Sequence, residues 1–199
     1  MDLLQNLVTK LNNLKSHKYE DYKSIFDTYA KDLMLGHSLK YGENKYGITE
    51  IEFYYFHRKH HPDPYSHMHD QQQKCGTLYF HGSGFDITFG DDDSYGGILI
   101  RGIKDRNNYY DGPISLINTL FGMQNYKADD MRNMKIDLKN ILVKQNNTDE
   151  QVYDSTRFGL QPHPLDYELC FVKRKTEMPY IFRLYRYVKD RNTEHQYRD

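Results

Sequence analysis

Ile48-Thr49-Glu50-Ile51-Glu52-Phe53-Tyr54-Tyr55-Phe56 is the stretch on which the fold turns. Its β-branched and aromatic residues suit a pleated, half-buried surface, and its two acids lie two positions apart, on one face of a strand. Ile48, Ile51, Phe53 and Tyr55 read as one side. Thr49, Glu50, Glu52, Tyr54 and Phe56 fall on the other side or at a bulge. Two carboxylates beside a tyrosine fit either an exposed edge face or the wall of a pocket in which one acid serves as a base. Downstream, residues 77–81, 85–89 and 98–103 read as further strands, separated by Gly82-Ser83-Gly84, a turn at 90–94 and Gly96-Gly97. Residues 169–172 and 180–188 read as a last pair. Upstream, Leu3, Leu4, Leu7, Leu11 and Leu14 recur at helical spacing over 2–16. Tyr22, Ile25, Phe26, Tyr29, Ala30 and Leu33 do so over 19–35, with Gly36 as the C′ residue. Gly112-Pro113 opens a helix over 114–121 that Gly122 closes, and 124–150 reads as a loop plus a short helix. With no 20- to 50-residue repeat and no Pro/Ser linker, one α+β domain with a mainly antiparallel sheet is expected over 1–199.

Composition narrows the function classes. The chain is 38% hydrophobic, with 19 Tyr, 10 Phe and no Trp, so tyrosine must supply much of the bulk of both core and pocket walls. The apolar runs are far too short for a membrane span, and Met1 leads into a polar amphipathic stretch and not a secretory leader. Cys75 and Cys170 form neither a disulfide framework nor a zinc spacing, which points to a reducing compartment, cytoplasm or nucleus. Cys170 lies in an apolar strand candidate and reads as packing. A net charge of −1 excludes a strongly basic nucleic-acid binder while leaving room for local basic patches.

Five histidines, His57, His60, His61, His67 and His69, invite a metal reading. Their spacing is neither H-E-x-x-H nor H-x-E with a downstream P-C-x-x-C, and a polar loop from His60-His61-Pro62 is the plainer account, with no metal or other cofactor expected. Gly82-Ser83-Gly84 lacks the Lys-Ser/Thr and the helix of a phosphate loop and reads as a tight turn. Asp91-Asp92-Asp93 reads as a solvated turn. Arg101, at the end of an apolar strand, is placed to meet a carboxylate or an anion.

Several short motifs, in order, resemble the alkyladenine (3-methyladenine) DNA glycosylase family. Ala30-Lys31-Asp32-Leu33-Met34-Leu35-Gly36 is similar to the family's A-R-x-L-L-G. Residues 48–54 resemble its I-V-E-T-E-A-Y, and Asp63-Pro64-Tyr65-Ser66-His67 its D-x-x-x-H. Gly76-Thr77-Leu78-Tyr79 matches G-T-L-Y, Gly97-Ile98-Leu99-Ile100-Arg101 resembles G-x-V-L-L-R, and Gly112-Pro113 sits where a G-P begins a helix. Thr156-Arg157-Phe158-Gly159-Leu160 is similar to A-R-V-G-I. The resemblance spans roughly 30–188. It implies a glycosylase-like core with a curved antiparallel sheet over 46–188; the helical spacing places the N-terminal helices within 1–40, and 189–199 reads as a frayed tail. Two segments depart from the pattern: residues 68–74 lack the family's arginines, and Phe80-His81-Gly82-Ser83-Gly84 is about three residues shorter than its counterpart.

The resemblance implies a monomeric, monofunctional hydrolase that excises a damaged purine from double-stranded DNA during base-excision repair. Glu52 would deprotonate a water held against C1′ of the extruded nucleotide. Tyr54, with either Tyr79 or His81, would stack on the base, His67 would line the pocket, and Arg101 would hold Glu52 and the water. Phosphates would be met by Lys104 and Arg106 and by Lys173, Arg174 and Lys175, within a stretch (170–199) where basic residues outnumber acids; a solvated turn is the plainer account of that triplet. The alternatives are a non-catalytic binding domain on the same scaffold and a metal-dependent hydrolase built on the histidines.

Overall fold

The computed structural model describes residues 2–123, 127, 129, 136–146, 148–171 and 178–189. The deciding stretch lies within a long strand, β2 (Asn44–His57), that is buried on both faces for most of its length. Its burial follows from its neighbours. Along one edge it pairs with β6 (Ser94–Lys104), from Gly47↔Lys104 to His57↔Ser94. Along the other it meets β1 (His37–Tyr41), β10 (Arg186–Lys189) and the two-residue β3 (His61–Pro62). The main path of the ten-stranded sheet runs β4 (Leu78–His81), β5 (Gly84–Thr88), β6, β2, β1 and β8 (Leu142–Lys144). β7 (Tyr109–Asp111) pairs with β6, and β9 (Val152–Ser155) with β10. Every strand pairing among the described residues is antiparallel.

Two helices, α1 (Asp2–Asn12) and α2 (Tyr19–Gly36), cover one face of this sheet. Phe26 of α2 is fully buried, stacked on Phe53 at 4.6 Å and edge-on to Tyr185 at 4.9 Å. The aromatic core expected from the composition is therefore real, and Ile48, Ile51, Phe53 and Tyr55 belong to it. Helix α3 (Pro113–Phe121) packs Leu116, Ile117 and Leu120 into the same core and ends at left-handed Gly122. No helix among the described residues is long and apolar enough to cross a membrane.

The register of β2 on β6 shifts on either side of Glu50, leaving Thr49 and Arg101 without direct cross-strand partners. This is the bulge that the sequence allowed. Gly102 makes it sterically feasible: a Cβ there would lie 2.5 Å from Thr49 Oγ1 and 3.0 Å from Glu50 Cβ.

Several sequence expectations are corrected. Residues 169–171 belong to a helix, α5 (Pro164–Phe171), which follows the short α4 (Leu138–Ile141). Pro164 occupies the first helical position, and His163 Nδ1 accepts the Leu165 N–H at 3.1 Å, so the helix starts well before the apolar run suggesting a strand. Cys170 is exposed on this helix and is not packing. After Pro179 the chain makes a 3₁₀ turn over Tyr180–Phe182, and only Arg186–Lys189 is strand. Lys189, assigned to a frayed tail, is buried and donates to Met34 O at 3.1 Å; the rest of that tail and residue 172 lie outside the described residues. Helix α2 includes Gly36 and passes directly into extended backbone at His37, so no left-handed cap forms there. β1, β3, β7, β8 and β9 have no counterpart among the strands expected from the sequence.

Candidate active site

On the face of β2 away from Phe53, Glu50, Glu52 and Tyr54 meet Arg101 from β6. Neither acid lies on an exposed edge: Glu50 is 4% and Glu52 0% exposed. Glu50 Oε1 accepts from Arg101 Nε and from Arg186 Nε, each at 2.8 Å. Glu52 Oε1 accepts the Phe158 N–H at 2.7 Å, and its Oε2 accepts the Tyr54 hydroxyl at 2.8 Å, with Arg101 Nη1 at 3.5 Å. Burial dominates the Glu52 environment and raises its pKa, while Arg101, the Phe158 N–H and the Tyr54 hydroxyl act in the opposite direction. Tyr54 is held as a phenol, its pKa pushed well up by burial and by the Glu52 charge.

A cavity of about 240 Å³ opens over this cluster, lined among others by Tyr54, Tyr65, His67, Gln72, His81, Asp86, Arg101 and Phe158. It is smaller than a pocket for a drug-sized ligand, and it suits a single ring system. His67 stands edge-on to His81 at 4.5 Å, and burial, then His81, lowers its pKa, so the ring is neutral. A larger depression of about 470 Å³ lies near Asp32, His37 and Lys144, but it has no buried carboxylate and no aromatic wall beyond His37.

The second layer fixes the first. Arg157 is buried and forms a bidentate pair with Asp63, at 2.6 and 3.2 Å, and donates to Tyr180 O at 3.2 Å. Its guanidinium lies 4.8 Å from the Tyr54 ring centre and 5.2 Å from that of Tyr65. The pair thus anchors the segment whose next residue, Phe158, delivers its N–H to Glu52. A buried pair of this kind positions more than it stabilises.

The structure brings Tyr54, His67, His81 and Arg101 to one cavity, as a shared site requires. Glu52 lies directly behind the wall and not on it, because Tyr54, Arg101 and Phe158 occupy its surroundings. Of the two stacking candidates, His81 lines the cavity; Tyr79, stacked on His69 at 4.5 Å, is not part of its lining. His81 is 5% exposed, and such burial keeps it from acting as a protruding wedge. Lys104 is paired with Glu150, whereas Arg106 is exposed in the turn between β6 and β7. Lys173, Arg174 and Lys175 lie outside the described residues.

The histidines disperse. His61 is fully buried, bonded to Tyr55 O at 2.7 Å and Tyr185 Oη at 3.0 Å, while His57 and His60 gather with His17. No group of three or more His, Cys, Asp or Glu with metal-holding geometry occurs among the described residues. Sequence reasoning passed over Asp86, Gln72, the Asp63–Arg157 pair and Arg186. Only Asp63 and Arg157 carried a signal, as members of two of the motifs.

No family model matches the chain. It is 26% identical over 213 residues to the uncharacterised protein L759 of Acanthamoeba polyphaga mimivirus, covering 87% of this chain and 94% of the viral one. The likeness therefore runs almost the full length of both proteins.

Proposed function

We propose that the protein hydrolyses the N-glycosidic bond of a modified purine extruded from DNA. The observation that carries this reading is a fully buried glutamate, fixed through both oxygens, directly behind a base-sized cavity walled by Tyr54, His67 and His81. An extruded base needs a narrow aromatic slot, and its C1′ needs a water and a nearby negative charge as the bond to the base breaks. Arg101 holds both carboxylates and fixes the geometry of that charge.

Because Glu52 has no exposed surface, the proton path runs through Tyr54. The attacking water forms the C1′–O bond and gives its proton to Tyr54 Oη as Tyr54 passes its own proton to Glu52 Oε2. The base leaves with the electron pair of the C1′–N bond. No lysine takes part, so an abasic site is the product and the strand stays intact.

Two substitutions test this. Glu52→Gln should reduce single-turnover base release from methylated duplex DNA by at least ~10²-fold while leaving DNA binding in place. Tyr54→Phe keeps the ring face and should lose activity as well, by at least ~10²-fold, because the relay hydroxyl through which Glu52 acts is gone. Wild-type release by the glutamine variant would sink the assignment; wild-type release by Tyr54→Phe would reduce Tyr54 to a stacking residue.

A further inference from the structure

The cavity wall carries one charge that the hydrolytic chemistry leaves unused. Asp86, on β5, lines the cavity and is 3% exposed. Its Oδ2 accepts from Gln72 Nε2 at 2.9 Å, and its Oδ1 faces His81 Nε2 at 3.2 Å. Bonds on the far side of each partner fix what it offers. Gln72 Oε1 accepts the His69 N–H at 3.2 Å, so the amide nitrogen faces Asp86. His81 Nδ1 accepts the Ser83 N–H at 3.3 Å, so Nε2 is the nitrogen that offers its proton to Asp86.

Asp86 therefore receives one hydrogen bond from each of these two. Arg101, the cation on the same cavity, directs its Nε and Nη1 to Glu50 and Glu52. Among the described residues no lysine or arginine lies within ion-pair distance of Asp86. Room for the carboxylate is built in: a Cβ on Gly97 would stand 2.4 Å from Asp86 Oδ2 and 2.9 Å from Gln72 Nε2. A carboxylate offers about four acceptor positions, and two are taken. A buried anion with spare acceptors favours a ligand bearing adjacent N–H donors, and it rejects one that points a lone pair at it.

Resting on the base-excision reading above, we propose that Asp86 selects the base and that the cavity takes one derived from guanine. Guanine presents N1–H and the 2-amino group side by side, two donors that match the two oxygens of a carboxylate. Adenine sets an unprotonated N1 beside its amino group, and hypoxanthine lacks the second donor.

Binding of free nucleosides tests the selection without any cost of extrusion. 2′-Deoxyguanosine and 2′-deoxyinosine differ only in the 2-amino group. The wild-type protein should bind deoxyguanosine at least ~5-fold more tightly, the low end for a bidentate base contact. Asp86→Asn should lose that preference and Glu52→Gln should keep it. Equal affinities in the wild type, no binding of either nucleoside, or a preference surviving Asp86→Asn would overturn the role of Asp86. Base release from methylated duplex DNA, assayed in parallel, separates the two readings. Release without nucleoside preference defeats only the selection by Asp86. Preference without release from any modified duplex defeats the hydrolase and leaves a guanine-binding pocket.

Discussion

On the proposed function, Glu52 serves chemistry at the expense of stability. Its native carboxyl pKa is raised, chiefly by burial, so the folded state holds a proton more firmly than the unfolded chain does. The stability this contributes is complete below the unfolded pKa and is lost as pH rises through the native one. Glu52→Gln, which mimics the protonated form, should therefore unfold at higher denaturant concentration than wild type at neutral pH. The gap should close as the pH falls towards the ordinary glutamate range. A glutamine variant less stable than wild type at pH 7, in matched urea titrations, would show that Arg101 and Phe158 outweigh the burial. On the proposed function, the same displacement governs rate. A base must be ionised, so the acid limb of base release should have its midpoint above the usual glutamate value; a midpoint at or below it would remove burial as the controlling influence.

At the level of elements, the site depends on the bulge that separates Glu50 from the regular register of β2 on β6. Gly102 sits against it, where a Cβ would meet Thr49 and Glu50. Gly102→Ala should cost about 1–3 kcal/mol, the usual penalty for an extra methyl in a filled space, and should loosen Glu50 from Arg101 and Arg186. Stability within roughly 0.5 kcal/mol of wild type in urea unfolding would mean that the strands part freely. How far such elements can be read from sequence depends on where their causes lie. β2 was legible because its signal is local, nine residues of consistent β-forming character with acids in alternation. The helix at Pro164–Phe171 was not, because a four-residue apolar run fits a strand or a buried helical turn equally well. The short strands β8 and β9 exist only through their partners on β1 and β10. The site divides in the same way. Glu52, Tyr54, His67 and Arg101 stood in recognisable motifs, whereas the Gln72–Asp86 and Asp63–Arg157 contacts join residues 14 and 94 positions apart and arise only from the packing of the sheet.

For the whole molecule, a net charge of −1 means that any grip on DNA phosphates must come from basic groups not already committed within the fold. Many are committed. Arg101 and Arg186 share Glu50, Arg157 holds Asp63, and Lys23 meets Asp27 and Asp154. Lys104 and Lys189 converge on Glu150; burial acts against its ionisation, yet hydrogen bonds from the two lysines bring its pKa down to about 2. Lys104 is thus an internal counter-charge, and Lys104→Ala should leave the salt dependence of DNA binding unchanged. The triplet Lys173-Arg174-Lys175 is the strongest basic run in the sequence, and on the proposed function it is the segment that meets the backbone. Replacing all three by alanine should weaken binding to every duplex alike, because phosphate contacts carry no sequence information. It should flatten the plot of log K against log salt by about 0.9 for each phosphate that the variant no longer neutralises. Base release from the bound complex should stay as it is, since none of the three is needed at C1′. A slope identical to wild type in the triple variant would make the run a solvated turn and would direct the search for the phosphate grip to the exposed Arg106.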